Sequence, residues 1–284
     1  MSHSKGQRVR HPTVHEWGLG QVLQDSSGDT TRIFFVGAGE KVISNRHVAL
    51  ILVRPEDAAD PVLDNLHLSE APGIKYRSLP DSIQYFLEQF PDGFYGSRFL
   101  EEERDYKVNA HNLAVELLDR NAITSLSEEK AYEEIAARAL RVSNATNLIF
   151  PNEKMALKDG LRDSEAKERF ARGLIALLHD SGQFAARFER FAGILGDIGA
   201  ARWTTATYFP FVLFPNEFMF VKPTVTQNAA AVCRFEISYR PQVNWGTYQR
   251  VLYFSNHLRN QLAGLRPRDM IDVQSFMWCI APKT

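Results

Sequence analysis

Cysteine is nearly absent from this sequence of 284 residues, which contains only Cys233 and Cys279. The two lie far apart in the chain, with no CxxC motif and no cluster of histidines around either of them. A disulfide framework needs several paired cysteines, and a structural zinc site needs closely spaced Cys or His ligands. The sequence therefore argues against both, and we expect two buried, free thiols.

Long apolar runs and the motifs of nucleotide and metal sites are missing as well. The longest apolar runs, such as residues 48–53 and 209–214, are far too short to cross a bilayer, and MSHSKGQRVR lacks the apolar core of a signal peptide. Neither GxxxxGK[ST] nor GxGxxG occurs, and the eight histidines form no HxH or HExxH pattern. We therefore expect a cytoplasmic protein that has no membrane contact, no cofactor and no bound metal.

The composition is that of an ordinary globular protein, with 44% hydrophobic and 24% charged residues. The length allows one large domain or two smaller ones. The net charge of −1 hides an asymmetry, because residues 1–54 hold seven Lys and Arg against four Asp and Glu, which leaves 26 against 30 elsewhere. A polyanion would therefore meet the N-terminal part, although a merely solvated surface explains the difference equally well.

Period-two patterns and turn residues dominate the first 45 residues. RVRH, WGLGQVL, TTRIFFV and KVI are four strand-like segments, separated by a loop and by the turn clusters DSSGD and GAGE. This spacing predicts a small antiparallel barrel, in which Gly18 and Gly20 flank Leu19 where the strand bends. Alternation predicts that its core consists of Val9, Val22, Ile33, Phe35 and Ile43.

The pattern VRHPT, WGLGQV, an aromatic strand and GAGEKVI resembles a small Tudor-like (SH3-like) bacterial domain of unknown function, related to the C-terminal tail of UvrD/PcrA-type helicases. The resemblance covers residues 8–53. His15 and Glu16 depart from the pattern, because they lengthen the loop before Trp17. The helicase version is associated with RNA polymerase contact, so the resemblance implies docking on a protein or close to nucleic acid.

The outer face of this barrel is the candidate binding surface. Alternation directs arginines, a lysine and Phe34 away from the core, and Trp17 joins them from the loop. A basic face that carries aromatic rings suits stacking on bases or contact with an acidic protein patch. The candidate residues for binding DNA or a nucleic-acid-processing protein are Arg8, Arg10, Trp17, Arg32, Phe34 and Lys41. Alternatively, Trp17 and Phe34 pack against the C-terminal domain and the arginines are only solvated.

The rest of the chain is predicted to be helical, which gives an α+β protein. We assign residues 1–54 to the barrel, residues 55–82 to an extended connector rich in Pro, Asp and Ser, and residues 83–284 to a mainly α-helical domain. Apolar stripes recur at helical spacing, with Ser127, Asp163 or Ser164, and Asp269 as N-caps. Two segments interrupt the helices: residues 203–223 are predicted to be extended and buried, and residues 233–239 a lone strand.

The C-terminal part has a second, weaker resemblance. MFVKPTVTQNAA, RPQVNWGTYQRVLYF and GLRPRDMIDVQSFMW resemble a region of uncharacterised bacterial proteins and segments that accompany McrB-type restriction proteins. This resemblance implies no catalytic residue. The polar residues of these segments could line a cleft. Its candidate members are Lys222, Trp245, Tyr248, Arg250 and Asp272, and Asn244 and Gln274 are further polar residues that could belong to it.

Two functions follow from the sequence. The preferred one is an adaptor whose barrel docks on DNA or on a nucleic-acid enzyme such as RNA polymerase. The alternative is a metal-dependent nuclease of a defence or repair system, suggested by Glu153, Lys154 and Lys158 close to Asp159 and Asp163, although these residues lie on a predicted helix. No catalytic motif is found, and the sequence does not indicate an oligomeric state.

Overall fold

The computed structural model describes residues 3–67 and 74–282. The chain forms two compact units. The first comprises Met1–Gln89, Asn228–Ile237 and Ile280–Thr284, and the second comprises Phe90–Gln227 and Ser238–Cys279. The first contains an antiparallel sheet and the second is mostly helical, which confirms the α+β class. We call them the sheet unit and the helical unit.

The sheet has five strands, one more than the turn pattern predicts. They are β1 (Arg8–Arg10), β2 (Leu19–Val22), β3 (Thr30–Phe35), β4 (Gly39–Ser44) and β5 (Ile51–Leu52). Their order is β4-β3-β2-β1-β5, and all neighbours are antiparallel. In the described part of the chain β4 and β5 remain the two edges, so the sheet is open and not the closed barrel that we expected. β5 has only two residues, which is too short to close the sheet.

One face of the sheet holds the predicted core. Val9, Val22, Ile33, Phe35 and Ile43 are all buried and form one cluster, which Leu50 joins. Gly20 is required there for space, because a Cβ on this residue would lie 2.6 Å from the Phe35 ring. Gly18 adopts a φ of 71°, a conformation that favours glycine, as expected for the bend before β2.

The opposite face of the sheet is covered by the segment that follows it. Leu19 and Phe34 pack with Val62 and Leu63, and the Tyr76 hydroxyl donates a hydrogen bond to the carbonyl oxygen of Val36. Burial raises the pKa of Tyr76 above its usual value. Two 3₁₀ helices, Pro55–Asp57 and Leu63–Asn65, shape this segment. Within the predicted connector, residues 68–73 lie outside the described residues, but Val62, Leu63 and Leu66 pack into the core of the sheet unit.

Twelve α-helices follow the sheet in the described ranges. In chain order they are α1 (Leu79–Gln89), α2 (Ser97–Phe99), α3 (Asp105–Leu118), α4 (Arg120–Glu128), α5 (Tyr132–Asn144), α6 (Pro151–Gly160), α7 (Ser164–His179), α8 (Phe184–Asp197), α9 (Trp203–Leu213), α10 (Pro223–Val232), α11 (Trp245–Gln261) and α12 (Met270–Ile280). A π-helical turn, Leu100–Arg104, joins α2 to α3. Among these helices, none combines the length and the apolar character that a membrane crossing requires.

Two of the predicted N-caps are confirmed and one is wrong. Asp163 Oδ1 accepts a hydrogen bond from the Ala166 amide at 2.7 Å, and Asp269 Oδ1 accepts one from the Ile271 amide at 3.0 Å. Ser127 lies inside α4 instead, because the helical pattern breaks three residues later, where Lys130 has a φ of 56°. A short break of this kind does not interrupt the spacing of the apolar residues, so the sequence pattern does not show where α4 ends.

The two predicted interruptions are also corrected. Residues 203–213, expected to be extended, form α9, in which all eleven residues are buried. A helix buried on every side has no polar face, so its sequence shows no helical period. Residues 233–239 form no strand of the sheet, and only Phe235 makes an isolated bridge, to Leu66.

Candidate functional site

The predicted binding residues of the sheet unit differ widely in their surroundings. Arg10 is exposed on β1 and is the register partner of Ile51, and its side chain makes no hydrogen bond or ion pair within the described ranges. Arg8, two residues earlier, has a side chain only 14% exposed and lies 2.6 Å from Asp64 Oδ1, with a further hydrogen bond to Gln21. Arg10 is therefore available to a partner, whereas Arg8 holds the covering segment to the sheet.

Phe34 and Arg32 lie on the same face of the sheet but differ in exposure. Phe34 is 2% exposed beneath Val62, Leu63 and Tyr76, so the expectation that it points to solvent is wrong. Arg32 is exposed and forms an ion pair with Glu40 of the neighbouring strand. Alternation correctly separates Phe34 from the core of the first face, but it cannot reveal that a later segment covers the second.

Lys41 and Trp17 form a pair on the core face. Lys41 is the register partner of Ile33, so the prediction that it shares a face with Arg32 is wrong. Its ammonium lies 5.6 Å from the centroid of the Trp17 ring, a cation–π contact. Trp17 is half-buried, 5.2 Å from Phe35 between ring centroids and 4.9 Å from His11. This pair covers one margin of the hydrophobic core and remains partly exposed to solvent.

The positive charge of the sheet unit is largely neutralised by its own acidic side chains. Extending the count from residues 1–54 to residues 1–67 adds Glu56, Asp57, Asp60 and Asp64, so that seven basic residues face eight acidic ones. Most of the basic side chains are paired, and the pairs are Arg8–Asp64, Arg32–Glu40, Arg46–Asp29 and Arg54–Glu56. The surplus that the first 54 residues suggest is therefore absent from the folded surface.

Within the described part of the sheet unit, most of the exposed large apolar side chains lie on the two edge strands. Ile51 and Leu52 are 51% and 56% exposed on β5, and Val42 is 64% exposed on β4. An edge strand also presents backbone N–H and C=O groups that have no partner in the sheet. We call Arg10, Ile51 and Leu52, with the free edge beside them, the β5 edge.

The cleft predicted in the helical unit does not form from the five residues proposed. Tyr248 is buried, with its hydroxyl donating to the Met219 carbonyl at 3.0 Å and its ring stacked on Phe188. Trp245 packs in the same aromatic cluster, while Arg250 is exposed on α11. Lys222 and Asp272 belong to two other sites.

Asp272 belongs to a buried ion-pair network. Arg104 donates to Asp269 Oδ2 at 2.7 Å and to Asp272 Oδ1 at 2.8 Å, and Arg268 binds Asp272 Oδ2 at 2.9 Å. Asp272 is 0% exposed and receives two guanidinium groups. Arg268 and Asp272 are four residues apart, a spacing at which local ion pairs are common. Arg104 lies far away in sequence, and no local signal identifies it as a partner of Asp272.

Lys222 and Gln274 line a pocket of about 190 Å³ in the helical unit, which we call the lysine pocket. The other lining residues come from the π-helical turn, α3, the loop before α6 and α12. They are Glu102, Glu103, Tyr106, Lys107, Asn147, Leu148 and Trp278. Sequence reasoning includes Lys222 and Gln274 but misses Lys107, whose only signal is its place in the charged run EEERDYK.

Lys107 is the buried cation of this pocket. Its side chain is 1% exposed, and its ammonium donates to Ser275 Oγ at 2.7 Å and to Glu103 Oε2 at 3.4 Å. Burial lowers the pKa of Lys107 to about 8, against the opposing effect of Glu103. Burial also lowers the pKa of Lys222. Both amines therefore carry their charge at a desolvation cost.

The residues that suggest a nuclease have structural partners instead. Glu153 accepts a hydrogen bond from the Phe150 amide at 3.1 Å at the start of α6, and Asp163 caps α7. Lys154 donates to the Thr146 carbonyl, and Asp159 pairs with Arg162. Among the described residues there is no group of three or more His, Cys, Asp or Glu that could hold a metal ion. These carboxylates are accounted for as helix caps and ion pairs.

Comparison with known proteins finds one similarity. Residues 4–53 match a family described as "Protein of unknown function (DUF3553)", which covers the sheet and ends at β5. No curated protein and no solved structure matches the chain. The family match includes Arg10, Ile51 and Leu52 but none of the helical unit.

Proposed function

We propose that this protein is an adaptor that docks on a protein partner through the β5 edge of its sheet unit. The partner class that the Tudor-like resemblance implies is a nucleic-acid enzyme such as RNA polymerase. The observation that carries the proposal is the exposed Arg10, which has no polar partner among the described residues, beside Ile51 and Leu52 on an open sheet edge.

The chemistry of this edge suits an extended peptide segment. Arg10 and Ile51 are opposite each other in the antiparallel register, so their side chains project from the same face of the sheet. An added strand would pair with the free backbone groups of β5 while an acidic residue contacts Arg10 and an apolar residue contacts Ile51. The partner segment is therefore expected to be extended, apolar and acidic.

Charge favours a protein over DNA as the partner. Binding to duplex DNA depends on several Lys and Arg side chains that neutralise phosphates together. Residues 1–67 carry no surplus of basic residues, and Arg8, Arg32 and Arg46 already pair with carboxylates. A single free guanidinium with two apolar neighbours provides specificity for a protein surface but little attraction for a polyanion.

The test compares binding of the full chain to purified bacterial RNA polymerase and to duplex DNA. We expect polymerase binding with a shallow salt dependence. Because a central charge or apolar contact in an interface typically contributes about 1–3 kcal/mol, Arg10→Glu and Ile51→Asp should each weaken binding by about tenfold or more. Affinity is measured by biolayer interferometry over a salt series.

Arg46→Glu is the matched control. Arg46 is also an exposed arginine of the sheet unit, but it pairs with Asp29 and lies outside β1 and β5. Its substitution should change affinity by less than about twofold. Tight DNA binding with a steep salt dependence, or polymerase binding that Arg10→Glu leaves intact, would contradict the proposal.

A further inference from the structure

We infer that the lysine pocket of the helical unit binds a small anion, a carboxylate or a phosphate, that also carries an O–H or N–H donor. The inference goes beyond the docking function, because every lining residue belongs to the helical unit. It rests on two complementary unpaired groups that line the same pocket, Lys222 and Gln274.

Lys222 supplies the positive charge. Its ammonium lies 4.7 Å from the Phe150 ring centroid and 5.0 Å from that of Trp278. It makes no hydrogen bond or ion pair with any residue that the structure describes. Two aromatic rings hold the amine in position and desolvate it, but they accept no conventional hydrogen bond. Its N–H donors are therefore free for an anionic oxygen, which forms the stronger, charge-assisted type of bond.

Gln274 supplies the acceptor. It is 4% exposed on α12, and its Oε1 atom is buried without a donor within the described ranges. A buried carbonyl oxygen without a donor is costly, and native proteins seldom leave one unless a ligand or water completes it. A ligand that donates an O–H or N–H group to Oε1 would remove this cost. The required ligand therefore combines a negative charge with a donor.

The carboxylates of the pocket do not cancel the charge of Lys222. Glu102 pairs with Arg98 at 2.8 Å, and Glu103 lies 3.4 Å from the ammonium of Lys107. Glu153, which acts on Lys222 over a longer distance, is held by the Phe150 amide. With these acids engaged elsewhere, Lys222 is the unmatched charge, and an anion is the complementary ligand.

Size restricts the ligand class. The pocket volume of about 190 Å³ lies below the roughly 300–1,000 Å³ of typical pockets for drug-sized ligands. This volume accommodates a short hydroxy acid or a small phosphate ester but not a dinucleotide or a nucleic-acid strand. A larger cavity of about 300 Å³ lies beside Arg104 and His111, but there Arg104 already pairs with Asp269 and His111 already forms a hydrogen bond with the Val212 carbonyl.

In the experiment, the full chain is titrated with three probes. Glycolate tests a carboxylate and glycerol 3-phosphate tests a phosphate, each with a hydroxyl donor. Acetate is a carboxylate that has no hydroxyl donor. Binding is measured by isothermal titration calorimetry and by the shift in melting temperature. We expect saturable binding of at least one of the first two probes at millimolar concentrations. Acetate should bind about tenfold more weakly than glycolate, because it cannot donate to Gln274.

Variants assign the contacts. Lys222→Met should weaken binding of the anion by about tenfold to a hundredfold. Gln274→Leu should remove the preference for glycolate over acetate without lowering the melting temperature, since it deletes an unpaired buried oxygen. Lys158→Met, a change at an exposed lysine of α6, is the matched control and should bind like the parent protein. Melting curves establish that each variant folds.

Three results would overturn the inference: neither glycolate nor glycerol 3-phosphate binds the folded parent protein, Lys222→Met binds as well as the parent, or Gln274→Leu keeps the preference. Polymerase binding through the β5 edge is measured separately with variants of the sheet unit. A failed pocket therefore leaves the docking proposal standing, and the reverse also holds.

Discussion

The ion pairs of the five-stranded sheet are exposed, whereas the helical unit contains a buried ion-pair network in addition to its surface pairs. In the sheet unit the ion pairs Arg32–Glu40 and Arg46–Asp29 lie on the surface, and even Asp64, the partner of Arg8, is 47% exposed. In the helical unit Arg104, Asp272 and Lys107 are all less than a tenth exposed. A sheet of five short strands has no room to desolvate charges, whereas a larger helical core can enclose a complete network.

This difference determines what each unit can recognise. Surface ion pairs contribute little to stability, and their groups exchange easily with solvent. The distinctive feature of the sheet unit is therefore its open edge. Buried charges are costly unless every group has a partner, so an unpaired amine or amide in the helical unit is conspicuous. Substitutions at Asp272, Phe34 and Lys107 probe this contrast, in order of decreasing effect.

Breaking one buried pair should have the largest effect. Asp272→Asn leaves Arg104 and Arg268 with a neutral partner in a fully buried position, and we expect a loss of about 3–5 kcal/mol in the free energy of unfolding. The same change at Asp64, in the more exposed pair with Arg8, should lose about 1 kcal/mol or less. Urea denaturation of both variants measures the difference, and equal losses would refute the contrast between the units.

Phe34→Ala tests whether the second face of the sheet is buried. Because Phe34 is packed beneath Val62, Leu63 and Tyr76, we expect a loss of about 3–4 kcal/mol in the free energy of unfolding. A phenylalanine on a solvent-facing sheet surface would lose less than about 1 kcal/mol. Val42→Ala, at the exposed edge position, serves as the control. A near-neutral Phe34→Ala would show that Val62, Leu63 and Tyr76 do not cover the sheet in solution.

Lys107→Met tests the free-energy cost of burying a charged amine, because this cost makes the stability of the parent protein depend on pH. Since the folded-state pKa of Lys107 is lowered to about 8 from an ordinary value of 10.5, only the unfolded chain binds this proton between those pH values. The parent protein should therefore gain about 2–3 kcal/mol relative to Lys107→Met as the pH rises from 8 to 10.5.

The measurement is the difference in unfolding free energy between the two proteins along this pH series. Below pH 8 the amine is protonated in both states, so the difference should be constant there. Lys158→Met, which removes an exposed amine, should show no such trend. A flat difference for Lys107→Met across the whole range would contradict the assignment of a buried, desolvated lysine.

Local sequence patterns determined the strands of the sheet, the helical character of the rest of the chain and the packing of one face of the sheet. Alternation identified Val9, Val22, Ile33, Phe35 and Ile43 as one core, because adjacent residues of a strand necessarily point to opposite faces. Helical periodicity predicted that the chain after the sheet is mainly helical, and capping chemistry located the starts of α7 and α12. These are properties of short segments, so one sequence suffices to predict them.

Only the tertiary structure decided which surfaces are covered and which polar groups meet. The residues next to Phe34 in the sequence do not indicate which segment buries it. The sequence of α9 has no helical period, because this helix is apolar on every side. Likewise Arg104 pairs with Asp272, and Lys222 and Gln274 line one pocket, although the members of each pair are far apart in sequence. The physical reason is that burial and pairing depend on neighbours in space, which local periodicity does not encode.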